Sequence, residues 1–363
     1  MTPNPLIGVF FHWLGGLASA SFYVPYKRIR FWSWEIFWLT GGIFSWLLAP
    51  WLFASLQTND LLGVLSAQTS ETLFWCFFWG LLWGFGGLTF GLTMRYLGLS
   101  LGMALIMGLT TVIGTLGGPI FNGTLGGILA TTSGQVVMAG IVFVLLGIAI
   151  VAMAGNQKEK EFRQDGSAQD AAGRGEFNLK KGVAIAIFSG VMSSCFAFGL
   201  EAGAPIREAS AAAGTGVLWV GLPVLCVVLL GGLTTNLIWC AYLIIKNKSA
   251  REWVGEVKGN EGKKAPLALN YFLAALAGTL WYFQFFFYTM GESQMGAYGF
   301  SSWTLHMASI ILFSTLWGFF LKEWKGTSSK TQLTVWAGIA SLLAATVIIG
   351  IGNMLAGGGG GGH

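Results

Sequence analysis

The polar residues of this chain that could bind a ligand stand inside long apolar runs, at spacings that place them on one side of an α-helix. Each such group must find a partner or line a wet cavity, because unpaired polar groups are costly inside a membrane. Polar faces are predicted on four segments: His12, Gly16, Ser19 and Tyr23; Ser194, Ala197, Phe198 and Glu201; Trp281, Gln284, Phe285 and Tyr288; Ser302, His306 and Ser309. A central polar cavity requires such faces.

The face with Gln284 suits a neutral polyol. Its amide can hydrogen-bond sugar hydroxyls, and the ring of Trp281 can pack against the C–H face of a sugar, with Tyr288 on the same side. Few buried charges are available, which argues against a highly charged substrate. Helix packing, with Gln284 bonded across an interface, explains the spacing equally well. The further candidate substrate contacts are Ser19, Tyr23, Ser194 and Ser302.

Ionisable side chains within the runs are candidates to carry a proton. A histidine can take up a proton near neutral pH, and a carboxylate can do so where burial raises its pKa. The competing interpretations are a neutral histidine that fixes a helix contact and, for the carboxylates, exposure at the membrane interface or a partner such as Arg207 for Glu201. The candidates, in order of preference, are His12, His306, Glu35 and Glu201.

The composition shows what must position these residues. Of 363 residues, 54% are hydrophobic and 10% are charged, with a mean hydropathy of +0.67, whereas a soluble domain carries about 25% charged residues. One helical crossing needs roughly 20 apolar residues. The chain is therefore predicted to be an all-α integral membrane protein with ten spans: 5–26, 34–56, 71–94, 99–121, 134–154, 181–202, 216–245, 267–290, 298–321 and 333–355.

A charged stretch, residues 156–181, divides the chain and is predicted to be a flexible solvated linker. All 20 Lys and Arg residues except Arg207 fall in this stretch or in the other odd-numbered loops. Because Lys and Arg accumulate on the cytoplasmic side, the linker is predicted to be cytoplasmic and both termini to lie outside.

The ten spans divide into two halves of five. An odd number of crossings inverts the second half relative to the first, an arrangement found in many secondary transporters. Residues 1–155 and 182–356 are therefore expected to form two inverted five-helix repeats. Residues 357–363 are interpreted as a cloning or tagging remnant. Channels and membrane enzymes can also have ten spans, so this topology favours a transporter without excluding them.

Redox, ATP-driven and enzymatic functions find little support in the sequence. The four cysteines lie in apolar runs without CxxC spacing, which indicates packing. There is no GxxxxGK[ST] phosphate loop, so transport would use an ion gradient or run downhill. No nucleophile–base pair or metal-ligand cluster stands out within the spans, which disfavours an enzyme. No cofactor or metal is expected.

Several stretches resemble the L-rhamnose–proton symporter family, within the drug/metabolite transporter superfamily. They are FHWLGGLASASFYVPYKRIRFWSWE (11–35), FGLTMRYLGLSLG (90–102), EFNLKKG (176–182), LWYFQFFFY (280–288), SWTLHM (302–307) and LKEW (321–324). They extend from the first predicted span to the ninth, so the resemblance covers essentially the whole chain. None of them is a generic membrane motif.

The resemblance implies ten spans in a bacterial inner membrane and import of L-rhamnose, or a related 6-deoxy sugar, with a proton by alternating access. It draws attention to His12, Glu35, Gln284 and His306, which lie in matching stretches. The expected partners are the sugar, the proton and the lipid bilayer, with no nucleic acid. The alternative is an uncoupled sugar facilitator or a membrane sugar-binding receptor. One departure is Glu201, where the family pattern has an amide, and a carboxylate there can alter sugar preference or coupling.

Overall fold

The computed structural model describes residues 3–97, 99–164, 178–257 and 263–358. Within these ranges the chain has ten helices long and apolar enough to cross a membrane, which confirms the predicted number of spans. Spans 5 and 6 run beyond their predicted ends. Spans 1 to 10 are Pro5–Tyr26, Trp34–Gln57, Ser70–Met94, Gly102–Phe121, Thr132–Phe162, Leu179–Ala212, Leu222–Asn247, Leu267–Glu292, Ser301–Phe320 and Ser329–Ala356.

Some spans consist of more than one helical segment, and short helices lie between spans. The α-helices are Pro5–Ser21, Tyr23–Tyr26, Trp34–Ile43, Ala49–Gln57, Leu61–Ser66, Ser70–Leu97, Leu99–Phe121, Leu125–Ala130, Thr132–Gln164, Leu179–Ala202, Ala204–Ala212, Leu222–Asn247, Leu267–Glu292, Ser301–Phe320 and Ser329–Gly358. Two 3₁₀ turns are Ala250–Val254 and Gly296–Tyr298.

Span 2 contains a π turn at Phe44–Leu48. The backbone N–H of Ala49 donates to the carbonyl of Phe44, five residues back rather than four. Pro50 follows directly, and its nitrogen cannot donate the bond that would continue a regular α-helix. The proline thus gives a physical reason for the widened turn, and π turns are frequent at functional sites.

The spans pack in a defined set of neighbours. Span 1 contacts spans 8 and 9, span 2 contacts 7 and 8, span 3 contacts 6 and 7, span 4 contacts 5, 6 and 9, and span 5 contacts span 10. Glycines allow the closest approaches, since an added Cβ at Gly80 would collide with the Val228 carbonyl and one at Gly278 with the Gly41 carbonyl. Small residues at interfaces are a main source of helix association in membranes.

One end of the bundle, which we call the basic end, carries Lys27 and Lys158. Both ammonium groups lie near the Glu323 carboxylate, at 3.5 and 3.9 Å. At the same end, the Asn270 amide donates to the Arg30 carbonyl at 2.8 Å and accepts from the Arg30 N–H at 3.2 Å. These contacts join the loop after span 1 to the ends of spans 5, 8 and 9.

The charged stretch between the halves begins as helix. The helix of span 5 runs on to Gln164, so residues 156–164 of the predicted flexible linker are helical. Glu161 holds this helical extension against span 10, because its carboxylate accepts from the Ser328 N–H at 2.7 Å and the Thr331 hydroxyl at 2.6 Å. The next helix begins at Leu179. Residues 165–177 of the predicted linker and 359–363 of the predicted remnant lie outside the described ranges.

Candidate functional site

Two buried histidines meet where spans 1, 8 and 9 converge. His12 is 0% exposed and His306 is 1% exposed. Their ring centroids are 6.5 Å apart, and the Tyr288 ring lies 5.3 Å from each of them. Glycines make room for both imidazoles, since a Cβ at Gly291 would stand 2.8 Å from His12 Nε2 and one at Gly15 would stand 3.4 Å from His306 Nδ1.

Several polar atoms at this meeting point, or one helical turn from it along spans 8 and 9, make no hydrogen bond to the described protein. They are both ring nitrogens of His12, both ring nitrogens of His306, Gln284 Nε2 and Ser302 Oγ, all buried. Leaving a buried polar atom unpaired costs about 1–3 kcal/mol. Several such atoms in one place are unfavourable for packing alone, but they suit a site that binds and releases polar ligands. We call His12, Tyr288, Gln284, Ser302 and His306 the central cluster.

Aromatic rings form one wall beside the central cluster. Trp303 lies 5.9 Å from Tyr288 and 6.0 Å from Phe196, whose ring is 4.4 Å from Phe285. The Trp303 indole is fixed in place, because its N–H donates to the Thr110 carbonyl at 2.9 Å. Flat apolar rings beside unpaired hydrogen-bonding groups are the two features that sugar recognition needs.

The predicted substrate contacts separate into two groups. Gln284, Tyr288 and Ser302 belong to the central cluster, and Ser19 is buried on the same span as His12. Ser194 is buried, but its hydroxyl donates to the Gly190 carbonyl at 2.8 Å and is therefore already satisfied.

Tyr23 does not join the central cluster. Its side chain is 44% exposed, whereas the spacing of span 1 predicts that it shares a face with His12. The helix of span 1 ends at Ser21, and a separate turn covers Tyr23–Tyr26. Phe22 keeps helical dihedrals, so the separation is one of distance: Tyr23 is eleven residues beyond His12, about 16 Å along the helix, at the end of span 1.

The two predicted carboxylates lie away from the histidines. Glu35 is buried at the basic end, where Oε1 accepts from Asn247 Nδ2 and Ser249 Oγ, each at 2.9 Å. This links the start of span 2 to the end of span 7. Glu201 is exposed and accepts from Asn122 Nδ2 at 2.8 Å. Both carboxylates thus have interhelical partners, and neither touches the central cluster.

Sequence reasoning missed two residues near the central cluster. Trp303 follows the predicted Ser302 in sequence, and its hydrogen-bonded indole forms part of the aromatic wall. Glu292 lies one helical turn beyond Tyr288, within electrostatic range of it and of Arg207. The hydropathy pattern predicts that span 8 ends at residue 290, which puts Glu292 in a loop, whereas the helix includes it. Among the described residues no group of three His, Cys, Asp or Glu side chains could hold a metal ion.

Ten spans around a buried, largely uncharged polar cluster define a membrane transport protein. Comparison with known proteins is consistent with this class. The family model described as L-rhamnose-proton symport protein matches residues 1–356. The chain belongs to this family of secondary transporters, and it is not an enzyme.

Individual relatives match over nearly their whole length. A protein of Mannheimia succiniciproducens named L-rhamnose-proton symporter is 38% identical over 96% of this chain and 98% of its own. Proteins with the same name from Cronobacter sakazakii and Shigella sonnei are 37% and 36% identical, each over 95% of this chain and 97% of their own.

Proposed function

We propose that this chain imports L-rhamnose, or a related 6-deoxy sugar, together with a proton by alternating access. Membership of the symporter family and the names of the relatives support the sugar and the proton. The structural observation that carries the proposal is the pair of buried histidines, 6.5 Å apart and both against Tyr288. A proton carrier and a polar, aromatic sugar site then lie side by side.

In this proposal His12 takes the proton and Gln284 binds the sugar. The face of His12 continues into the bundle through Gly16 and Ser19, which are both buried. Two imidazolium charges at the spacing of His12 and His306 would repel by about 2.5 kcal/mol at an effective dielectric constant of about 20. Double protonation of the pair is therefore disfavoured, so in this proposal the pair carries a single proton. The other ring is neutral and can accept a hydrogen bond from a sugar hydroxyl.

The proposed architecture is two inverted repeats, in which spans 1–5 correspond to spans 6–10. The packing between spans supports this. When each span number is exchanged for that of its counterpart in the other half, the 1–8 contact becomes the 3–6 contact, 2–8 becomes 3–7, and 1–9 becomes 4–6. The pairs 2–7 and 5–10 map onto themselves. We place the basic end in the cytoplasm of a bacterium, with the chain in its inner membrane and both termini outside, following the distribution of Lys and Arg.

Uptake by the purified chain in proteoliposomes tests the proposal. An imposed pH gradient, acid outside, should drive accumulation of radiolabelled L-rhamnose above its external concentration, and other 6-deoxy sugars serve as competitors. Without a gradient, added L-rhamnose should make a weakly buffered external medium more alkaline, because a symporter removes external protons. Downhill L-rhamnose entry with no proton uptake would instead identify an uncoupled facilitator, and no entry at all would contradict the substrate.

A further inference from the structure

A pocket lined mainly by aromatic side chains and glycines lies between spans 1, 2 and 8, on the basic-end side of the central cluster. Its open space, counted together with the solvent at its mouth, is about 180 Å³, whereas the enclosed part has room for about one water molecule. The walls include Phe22, Ser45, Trp46 and Trp281, and the π turn of span 2 contributes two of these residues. We call this pocket the π-turn cleft.

Buried polar atoms in the π-turn cleft are unpaired. Ser45 is 1% exposed and Trp46 is 3% exposed, yet Ser45 Oγ, Trp46 Nε1 and Trp281 Nε1 have no hydrogen-bond partner among the described residues. Other hydroxyls of span 2 bond back to their own helix, as Thr40 does to the Ile36 carbonyl at 2.7 Å and Ser55 does to the Trp51 carbonyl at 2.6 Å.

Ser45 lacks this back-bond for a visible reason. The carbonyl four residues earlier belongs to Gly41; it already accepts from the Phe44 N–H and lies against Gly278 of span 8. The π turn begins at Phe44, so Ser45 sits where the helix has widened. Its hydroxyl is thereby left for a ligand.

The cleft is joined to the central cluster by one stripe of span 8. Trp281, Gln284 and Tyr288 are three and four residues apart, so they follow one face of the helix. Seven residues of helix cover about 10 Å, at 1.5 Å per residue. The stripe therefore leads from the two histidines, through Gln284, to the indole of Trp281 in the π-turn cleft.

We propose that the π-turn cleft is a second sugar station, which the sugar occupies between Gln284 and the basic end. This inference rests on the proposed function. The lining suits a neutral polyol, because two indole N–H groups donate to hydroxyl oxygens, a serine hydroxyl donates or accepts, and aromatic faces cover the C–H surface. The sugar enters when the Phe22 and Trp281 rings, whose centroids are 4.2 Å apart, separate.

Transport measured separately from each side of the membrane tests the station. The variants Ser45→Ala and Trp46→Phe each remove one hydrogen-bonding group and keep most of the side-chain volume. In vesicles of known orientation, each should raise the KM for L-rhamnose supplied from the basic end by about two- to ten-fold, the value of one hydrogen bond. The KM from the opposite end should change less than two-fold.

Matched controls lie on exposed surfaces. Ser55→Ala is on the same span, and Trp239→Phe replaces an indole of span 7 that is 44% exposed; both should behave as the unmodified chain does. If a variant fails to fold, Ser45→Cys provides a second measurement, in which L-rhamnose should slow modification by a methanethiosulfonate reagent added at the basic end.

The outcomes separate the two proposals. Suppose that the unmodified chain transports L-rhamnose. If the KM values of Ser45→Ala and Trp46→Phe are then unchanged from both sides, or change equally from both, the second sugar station alone is overturned. If L-rhamnose does not slow the modification of Ser45→Cys, the station alone is likewise overturned. An unmodified chain that carries no L-rhamnose overturns the proposed function, and the station with it.

Discussion

His12 and His306 belong to spans 1 and 9, yet both of their rings pack 5.3 Å from the single ring of Tyr288. Tyr288 therefore fixes the spacing of the pair. If His12 carries the proton, His12→Gln should abolish or strongly reduce concentrative L-rhamnose uptake. Counterflow should survive and lose its pH dependence, because exchange needs no net proton movement.

Phe10→Leu is the control for His12→Gln, since Phe10 is exposed on the same helix. Uptake against a gradient and counterflow are measured for both variants over the same pH range. Concentrative uptake by His12→Gln with an unchanged pH profile would mean that His12 only packs. His306→Gln would then be the next variant to measure.

A second prediction concerns the sugar itself. Gln284 lies one helical turn from Tyr288 on span 8, and its buried Nε2 has no partner within the described protein. Gln284→Ala should weaken L-rhamnose binding by about 1–3 kcal/mol, because a sugar hydroxyl would lose its partner. Isothermal titration of the purified chain measures this. Gln332→Ala is the control, since that amide bonds the Thr327 carbonyl; an unchanged affinity in folded Gln284→Ala would remove Gln284 from the site.

Glu35 is expected to fasten the basic end rather than to carry the proton. Its carboxylate accepts from Asn247 and Ser249, so Glu35→Ala removes both bonds and takes the acceptor from the buried Ser249 hydroxyl, which should destabilise the protein by about 1–3 kcal/mol. Thermal unfolding measures the loss, with the exposed Glu256→Ala as control. Uptake by Glu35→Gln should keep its pH dependence. Normal stability with a lost pH dependence would identify Glu35 as the proton carrier instead.

Two glycines of span 3 provide a matched test of the packing. A Cβ at Gly80 would meet the Val228 carbonyl, whereas one at Gly87 would meet nothing within 4 Å. Gly80→Ala should therefore destabilise the protein by about 1–3 kcal/mol through overpacking. Gly87→Ala should be neutral or stabilising by up to about 1 kcal/mol, because alanine favours the helix. Equal melting temperatures for the two variants would contradict this packing.

The orientation is tested by labelling. Ala168→Cys lies in the predicted cytoplasmic stretch, outside the described residues, and should resist an impermeant thiol reagent in intact cells. Gln57→Cys, at the opposite end of span 2 from Glu35, should react. The native cysteines are all buried, so the background is low. Rapid external labelling of Ala168→Cys would reverse the assignment.

Hydropathy and charge were enough to predict the number of spans, because membrane helices must satisfy their backbones internally over a fixed length. The same patterns found His12, Gln284 and His306 as polar groups inside spans. They could not show that the histidines share Tyr288, because that depends on which spans are neighbours.

Other differences have local causes. Tyr23 is exposed because it lies at the end of span 1, about three helical turns beyond His12. The partners of Glu35 lie more than 200 residues away in sequence, around the loop after span 7. A proline such as Pro50 can disturb a helix, but a proline alone does not predict a π turn that leaves Ser45 unpaired.

The contact between spans 5 and 10 bears on whether the chain must be continuous. Gly140 and Gly147 lie against Ile349 and Leu342, and beyond them Glu161 holds Thr331. These contacts join the last helix of each half without using residues 165–177. A protease cut in that stretch should therefore leave one particle in detergent, and two separately translated polypeptides should reassemble into a working carrier.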